Sequence, residues 1–553
     1  MTLQITSKTK QLVDALKSIC ANHGLGNDGN EYKIITEVFL YKFMNDKFFY
    51  DVRKLDSKYE KAKNLEETLR GLSDDDYDML LMMLPASTAK LKREHYLSNL
   101  FNTQNQEQFA KYFDDTMRDL GSFNADIFSV GTAGGEKIRL FSGISNYITE
   151  ESKRDGFCRA IVNKLFECSF AEVFSQKYDF FATIFEYLIK DYNKDGGGKY
   201  AEYYTPHAVA RIMSEILVPK KTSNALCYDP SAGTGSLLMS LAHKIGEDRC
   251  TIYSQDISQK STTLLRMNLI LNNLTHSLPN VVQGNTMTEP YHMGKGMTFD
   301  YIVSNPPFKL DFSDWRDRID ASLQNVCEDG SEAVFTQRFF AGVPKIPNKQ
   351  KEKMPIYLLF LQHIIASLKL GGKAACVVPT GFLTEGKGKK TSIANKIRMK
   401  LVDGKMLRAV VNMPSNIFAN TGTNVSIVFM DKGNRSGKAV LVDASELGTK
   451  VKEGNNQKTL LSFDEEQRII DAVNAQTAED DFCAVKTFKE IKAAGYSFNP
   501  GTYFDVTIDY IDMTANEFAK KMVESKTRLT AMFAESSELE KEILQSLGVL
   551  LYE

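Results

Sequence analysis

The sequence predicts an α/β protein with a mostly parallel central sheet and a helical region at each end. Three observations predict this fold class. Between residues 171 and 435, short apolar runs alternate with helix-length segments, as in βαβ units. Residues 1–170 carry apolar side chains at helical spacing and a single proline, Pro85. Near the C-terminus, a long apolar stripe recurs at almost heptad spacing.

The N-terminal residues 1–170 are predicted to form a helical domain. The stretch "YKIITEVFLYKFMNDKFFYDV" places Ile34, Val38, Phe39 and Phe43 on one broad face. The chain starts without an apolar signal core, and no segment of about 18 apolar residues follows. We therefore expect a cytoplasmic protein without a membrane span.

Charge and cysteine content restrict the function classes. The formal net charge is −2, whereas proteins that hold DNA alone over a long footprint usually carry a basic excess. Either nucleic acid is not the substrate, or basic patches are local, or a partner supplies much of the contact. The eight cysteines form no CxxC pair, which favours free thiols in a reducing compartment and predicts no metal site.

The first chemical motif follows the predicted strand in "ALCYDPSAGTGSLLMSLA". Its glycines permit a tight turn into a helix and a close approach of backbone to a ligand. It lacks the third glycine of a dinucleotide fingerprint and the lysine of a phosphate-binding Walker loop. The predicted cofactor-binding residues of this turn are Asp229, Ser231, Ala232, Gly233, Thr234, Gly235 and Ser236.

Two further strand ends strengthen this prediction. Asp256 ends "CTIYSQD", about 20 residues after the glycine turn, where an acid accepts hydrogen bonds from the ribose of a nucleoside cofactor. The alternative for Asp256 alone is a helix N-cap. Asn285, in "VVQGNTM", is a candidate contact to an adenine edge or to the substrate.

The next strand ends in "YIVSNPPFKL", which supplies the predicted catalytic residues Asn305, Pro306, Pro307 and Phe308. Consecutive prolines remove two backbone donors and end any strand or helix, which leaves a stiff loop between an amide and a ring. The carboxyl ends of parallel strands meet at one edge of a sheet. We therefore expect this loop to face the glycine turn and Asp256.

These motifs resemble those of amino-methylating DNA methyltransferases, which combine a glycine motif with an [DNS]PP[YFW] motif. The segment Gly196 to Met213, before the glycine turn, resembles the cofactor segment of gamma-class N6-adenine enzymes. Leu368 to Gly386 and Val410 to Met430 resemble late motifs of the methylation (M) subunits of type I restriction-modification systems. The resemblance covers nearly the whole chain, most sharply residues 175–435.

The resemblance implies a Rossmann-like S-adenosylmethionine-dependent methyltransferase domain over residues 171–435. It also implies that Ala201, Glu202, Tyr203, Tyr204, Thr205 and Pro206 close over S-adenosylmethionine. Asn305 Oδ1 and the Pro306 carbonyl would accept the two hydrogens of the target amine, and Phe308 would stack on a flipped adenine. The chain departs from the family at Ala201-Glu202 and at Asn285, where aspartate is usual.

Several partners follow from the resemblance. They are double-stranded DNA, the specificity (S) subunit, a second copy of this chain and, in complete systems, a restriction (R) subunit. Residues 436–553 form the predicted C-terminal region, whose long helix would dock the specificity subunit. Its apolar stripe comprises Phe518, Met522, Leu529, Met532, Leu539, Ile543 and Leu547. Packing of this helix on its own domain is an equally good explanation of the stripe.

Two alternatives from other classes remain open at this point. One is a methyltransferase acting on a different amine, namely a protein glutamine, an RNA base or cytosine N4. The other is a non-catalytic methyltransferase-like scaffold that binds nucleic acid. Both would have to explain why the glycine turn, Asp256 and the NPPF loop occur together.

Overall fold

A computed structural model of the chain describes residues 2–26, 30–128, 130–132, 137–138, 140–174, 205–294, 296–324, 338–418, 424–453, 456–504 and 514–549. The chain divides into two compact units, Met1–Phe504 and Asp505–Glu553. The first unit contains the central sheet and the helices packed on it. The division into regions 1–170, 171–435 and 436–553 stays a prediction.

Most of the described strands belong to one sheet. The strands are β1 (Val130–Thr132), β2 (Lys137–Ile138), β3 (Ala225–Asp229), β4 (Cys250–Asp256), β5 (Val281–Gln283), β6 (Phe299–Ser304), β7 (Leu368–Pro379), β8 (Leu407–Asn412), β9 (Val425–Asp431), β10 (Lys438–Asp443), β11 (Thr449–Glu453), β12 (Asn456–Leu460) and β13 (Cys483–Thr487). Eleven of them form the sheet in the order β13-β10-β8-β9-β7-β6-β3-β4-β5-β1-β2, and β11 pairs with β12 as a separate hairpin.

The centre of the sheet is parallel, from β7 through β6, β3, β4 and β5 to β1. Strand β9 runs antiparallel between β7 and β8. The chain proceeds from β3 to β4 and β5 on one side of the sheet, and then to β6 and β7 on the other side. This reversal opens a crevice at the carboxyl ends of β3 and β6. The predicted α/β, Rossmann-like fold class is confirmed.

Helices cover the sheet and build the N-terminal region. They are α1 (Thr2–Asn22), α2 (Glu31–Leu55), α3 (Ser57–Glu60), α4 (Leu65–Arg70), α5 (Asp74–Met83), α6 (Leu97–Thr103), α7 (Phe109–Phe123), α8 (Ala125–Phe128), α9 (Glu151–Phe166), α10 (Ala171–Phe174), α11 (His207–Leu217), α12 (Ser236–Ile245), α13 (Gln259–Leu271), α14 (Tyr291–Gly294), α15 (Ser313–Gln324), α16 (Tyr357–Ser367), α17 (Ile393–Asp403), α18 (Phe463–Ala475), α19 (Phe488–Ala493) and α20 (Ala515–Val549). No described helix is long and apolar enough to cross a membrane.

Alternate residues of the central strands pack into two different hydrophobic cores. Cys227 and Val303 belong to a core shared with α11, α12, α13 and the N-terminal helices. Their neighbours Tyr228 and Ile302 belong to a second core, shared with α16, α17 and α19. Because successive side chains of a strand point to opposite faces, helices lie on both faces of this sheet.

The N-terminal region is mainly helical, as predicted, but it also contributes strands to the sheet. The apolar face expected from "YKIITEVFLYKFMNDKFFYDV" is buried within α2. In addition, β1 pairs with β5 in parallel through Gly131 and Val282, and β2 extends that edge. Strands β1 and β2 were not predicted, because strands of three and two residues are too short to show a period-2 pattern.

The sheet also continues beyond residue 435. Strand β10 pairs in parallel with β8, through Val440 and Ala409, and β13 pairs antiparallel with β10, through Leu441 and Ala484. These pairings join segments far apart in the chain, so local periodicity does not reveal them. The region assigned to the C-terminal part by sequence therefore supplies one edge of the central sheet.

The second compact unit contains the predicted long helix, α20. Residues 514–547 are exposed on every side of the helix. The exposed large apolar side chains of α20 are Phe518, Met522, Val523, Leu529, Met532, Phe533, Leu539, Ile543, Leu544 and Leu547. The predicted helix is thus present, and its apolar stripe is solvent-accessible.

Candidate active site

The predicted motifs converge at the point where the strand order reverses. A cavity of about 300 Å³ lies there, bounded by the turns that follow β3, β4, β5 and β6. Of the predicted residues, Thr205, Asp229, Ser231, Ala232, Ser236, Asp256, Asn285, Asn305 and Pro307 line this cavity. Pro206, Gly233, Thr234, Gly235, Pro306 and Phe308 are not part of its lining. Ala201, Glu202, Tyr203 and Tyr204 lie outside the described residues.

The glycine turn joins β3 to α12 through backbone that only glycine adopts readily. Gly233 and Gly235 have φ angles of 53° and 87°. A Cβ atom added at Gly235 would lie 2.2 Å from Leu265 Cδ1, because α13 packs closely there. The Thr234 carbonyl accepts a bond of 2.8 Å from Asn268 Nδ2. Close helix packing and positive φ together explain the second glycine.

Asp256 is buried at the carboxyl end of β4 and hydrogen-bonds to the backbone of the glycine turn. Its Oδ2 accepts from Gly233 N at 2.8 Å, and its Oδ1 accepts from Ser258 N at 2.8 Å. Burial raises the pKa of this carboxyl, while the two backbone bonds oppose the rise. The N-cap of α13 is Ser258, whose side chain accepts from Ser261 N. Asp256 is therefore not the N-cap of α13, which was the alternative explanation for an acid at this position.

Asp229 is also buried, at the end of β3. Its Oδ1 accepts from Ser231 N at 2.9 Å, and Ser231 Oγ lies 2.6 Å from Ser304 Oγ on β6. Burial raises the pKa of Asp229 to about 8, and the charge of Asp256 adds to the rise. The two serines connect the first motif to the strand that carries the NPPF loop.

The NPPF loop extends from β6 toward both the cavity and α16. Asn305 Nδ2 donates to Thr205 Oγ1 at 3.2 Å. The rings of Phe308 and Tyr357 meet edge-on, with centroids 6.4 Å apart and planes at 79°. The Tyr357 hydroxyl in turn donates to Glu385 Oε2 at 3.2 Å. The loop is thus supported from both sides, while Phe308 stays half-buried.

The loop after β5 carries Asn285 on the cavity wall. Asn285 Oδ1 accepts from Met287 N at 2.9 Å, which folds the loop back on itself. The buried Arg338 donates to the carbonyls of Thr286, at 3.1 Å, and Met287, at 2.5 Å. Asn285 therefore uses its amide oxygen within its own turn, as an aspartate could also do.

Sequence reasoning missed one side of the cavity. The apolar residues that complete its wall include Leu237, Ile257, Met287, Leu310, Trp315, Ile356 and Phe360. Their types and spacing look like ordinary core residues, so no local signal distinguishes them. Among the described residues, no group of three or more His, Cys, Asp or Glu is arranged to hold a metal ion.

A comparison with protein families decides the assignment. A family model described as N-6 DNA Methylase matches residues 176–509 of this chain. The chain belongs to the N-6 DNA Methylase family. The predicted resemblance is confirmed. As predicted, the protein is a DNA methyltransferase of the N6-adenine type.

Relatives of this N-6 DNA Methylase span most of its length. It is 24% identical to the methylase subunit of the type I restriction enzyme MpnII from Mycoplasma pneumoniae, over 91% of this chain and 92% of that relative. It is 25% identical to the HindI methylase subunit from Haemophilus influenzae, over 68% of this chain and 79% of that protein. A crystal structure of a type I methyltransferase subunit from Streptococcus thermophilus shares the fold, with a TM-score of 0.70 at 21% identity over 91% of this chain and 100% of that one.

Proposed function

We propose that this chain transfers the methyl group of S-adenosylmethionine to N6 of an adenine flipped out of double-stranded DNA. We further propose that it does so as the modification subunit of a type I restriction-modification complex. The observation that carries the proposal is the meeting of Asn305 and the Asp256-bound glycine turn at one cavity. A methyl donor and an acceptor amine would thereby be brought together.

The residues present fit S-adenosylmethionine. Asp256 uses one lone pair of each oxygen for the backbone, which leaves others for the two ribose hydroxyls. Ile257 and Phe360 offer apolar surface for an adenine ring, and Asn285 lines the same cavity. The cofactor, when bound, supplies an electrophilic methyl group on a sulfonium. We propose that Ala201 to Tyr204 and Pro206 cover its methionine portion, as the family motif implies, while the Thr205 hydroxyl accepts from Asn305 Nδ2.

The NPPF loop would bind the target adenine. Asn305 Oδ1 and the Pro306 carbonyl accept the two hydrogens of the amine, which favours a pyramidal nitrogen with its lone pair facing the methyl carbon. Phe308 is half-buried, so part of its ring remains available to stack on the base. Flipping the base costs a few kcal/mol, and alignment of the reacting atoms supplies much of the rate.

The proposed partners follow from charge and from α20. A net charge of −2 is low for a chain that holds DNA alone, so a specificity subunit would supply much of the DNA contact. The exposed apolar side chains of α20 would be buried against that subunit. We expect two copies of this chain in the modification complex, a restriction subunit in a complete system, and a cytoplasmic location.

The first experiment expresses this chain in cells lacking adenine methylation, with and without the neighbouring specificity subunit. Genomic N6-methyladenine is then read by single-molecule sequencing. We expect methylation of one split recognition sequence, only when the specificity subunit is present. Methylation without the partner would contradict the proposed dependence on the specificity subunit. The absence of modified adenine in both cases would contradict the proposed activity.

The variant Asn305→Ala tests the role of the NPPF loop. Removing the amide oxygen takes away an acceptor for the target amine, so methyl transfer should fall by about 100-fold or more. S-adenosylmethionine binding, measured by calorimetry, should persist because Asp256 and the glycine turn are untouched. Full activity of this variant would refute the proposed role of Asn305.

A further inference from the structure

Thr205 and Asn305 meet at the cavity wall although 100 residues separate them in the chain. Asn305 Nδ2 donates to Thr205 Oγ1 at 3.2 Å, and both residues line the cavity. Thr205 is 5% exposed, so water competes little for its hydroxyl. Among the described residues, none donates to Asn305 Oδ1. The amide nitrogen is therefore engaged on the protein side, while the oxygen is available to a ligand.

The chemistry of a carboxamide makes this orientation matter. Its oxygen only accepts hydrogen bonds, whereas its nitrogen only donates them. The amine of adenine presents two hydrogens, so an amide turned the other way would set donors against donors. We infer that Thr205 is a positioning residue, which holds the Asn305 carboxamide with Oδ1 toward the target amine.

Both ends of this contact are fixed by their own neighbours. On one side, Ser304 pairs with Cys376 on β7, and its hydroxyl lies 2.6 Å from Ser231 Oγ. This places the backbone of Asn305. The Thr205 hydroxyl fixes where the carboxamide lies, and in this arrangement it accepts from Nδ2, which leaves Oδ1 for the target amine.

Thr205 is supported from the other side by α11. Pro206 is the N-cap residue of that helix. Arg211 of α11 donates to Glu466 Oε2 at 2.7 Å and to Gln467 Oε1 at 2.8 Å on α18. Ser214 Oγ lies 3.0 Å from Ser240 Oγ on α12. These bonds hold the start of α11, and with it Thr205, against the core of the domain.

This role differs from the cofactor contact expected of Thr205 from its motif. A cofactor contact would show as weaker S-adenosylmethionine binding. A positioning role would show as slower methyl transfer at saturating cofactor with unchanged binding. Trp315 is the only tryptophan and lines the cavity, so its fluorescence reports cofactor binding directly.

The experiment uses the complex with the specificity subunit and a duplex containing its recognition sequence. Single-turnover methyl transfer at saturating S-adenosylmethionine is compared for wild type, Thr205→Val and Thr205→Ser. Thr205→Val should lower the rate constant about tenfold, as expected for loss of one orienting hydrogen bond, with a cofactor Kd within about twofold of wild type. Thr205→Ser should restore the rate, and Thr116→Val, which removes a buried threonine hydroxyl from α7, should leave it within about twofold.

A second pair of variants separates positioning from structural damage. Asn305→Ala removes the carboxamide, so Thr205 has no group left to position. In that background, Thr205→Val should cost less than about threefold. An equal loss in both backgrounds, an unchanged rate for Thr205→Val, or a loss explained by a raised Kd would each overturn the role of Thr205. Because this role rests on the proposed function, a wild-type complex that transfers no methyl group would overturn that function first.

Discussion

At the scale of single residues, the two buried carboxyls of the site have different tasks. Asp256 binds the backbone of the glycine turn and faces the cavity with its remaining lone pairs. Asp229 lines the same cavity and is joined through Ser231 to Ser304 on β6. Both carboxyls have raised pKa values because burial disfavours their charged forms. Their separate partners allow their roles to be tested separately.

For Asp256, we predict that Asp256→Asn weakens S-adenosylmethionine binding by about tenfold or more, because an amide offers the ribose hydroxyls one acceptor oxygen instead of two. Quenching or enhancement of Trp315 fluorescence measures the affinity. Asn305→Ala serves as the matched control, since it changes the other side of the cavity. An unchanged affinity for Asp256→Asn would reject the assignment of the ribose to this carboxyl.

For Asp229, the raised pKa predicts a pH-dependent stability. The native state keeps a proton up to about pH 8, whereas the unfolded chain releases it near pH 4, at the ordinary aspartate pKa. The native state therefore binds more protons in this window, and its stability falls as pH rises from about 4 to 8. Asp229→Asn should remove this loss.

Urea unfolding at pH 5.5 and pH 8.5 measures the effect. Between these values, the wild-type chain should lose about 3 kcal/mol more of its unfolding free energy than Asp229→Asn does. Groups that titrate in both proteins cancel in this comparison. Parallel pH profiles for the two proteins would show that Asp229 is ionised throughout.

At the scale of elements, the site depends on the turn between β3 and α12. Gly235 has positive φ and faces Leu265 on α13 at a distance that excludes a Cβ atom. Gly156, in contrast, lies exposed within α9, and a Cβ atom there would meet no heavy atom within 4 Å. A side chain is therefore excluded at position 235, whereas position 156 has room for one.

We predict opposite effects for the two alanine substitutions. Gly235→Ala should destabilise the chain by about 1–3 kcal/mol through strain and overpacking, and it should weaken cofactor binding. Gly156→Ala should stabilise the chain by about 0.5–1 kcal/mol, because alanine costs less backbone entropy in a helix. Urea midpoints measure both. An unchanged urea midpoint for Gly235→Ala would mean that α13 can shift to accept a Cβ atom with no loss of stability.

At the scale of the whole molecule, the chain consists of two compact units with different contents. Residues 1–504 contain the sheet, the cavity and all the strand-end motifs, whereas residues 505–553 contain α20. An isolated helix with exposed apolar residues gains most of its stability from a packing partner. The catalytic machinery and the proposed docking helix are therefore separable.

We predict that a chain ending at residue 504 stays folded and binds S-adenosylmethionine but no longer assembles with the specificity subunit. Co-purification and size-exclusion chromatography measure assembly, and Trp315 fluorescence measures cofactor binding. The full chain with Leu539→Lys and Ile543→Lys is the matched control, which should also lose assembly because it places charge in the apolar stripe. Normal assembly of the shortened chain would place the docking surface within residues 1–504.

Most of the central sheet could be predicted from sequence. The strands that end in "ALCYDP", "CTIYSQD" and "YIVSNPPFKL" are apolar runs that stop at chemically distinctive turns, and those are local features. Strands β1 and β2 were too short to predict, and the pairing of β13 with β10 depends on distant segments. The central strands could therefore be predicted from local sequence, whereas these edge strands could not.

By itself, the sequence determined the fold class, the family and the residue types of the site, because glycine turns, strand-end acids and the NPPF loop are encoded within a few residues each. Only the tertiary structure decided which of them touch. It brought Thr205 to Asn305, set Arg338 beneath the loop of Asn285, and completed the cavity with Trp315 and Phe360. The physical reason is that motifs and periodicity are local, whereas burial and hydrogen bonding between segments arise only when the chain packs.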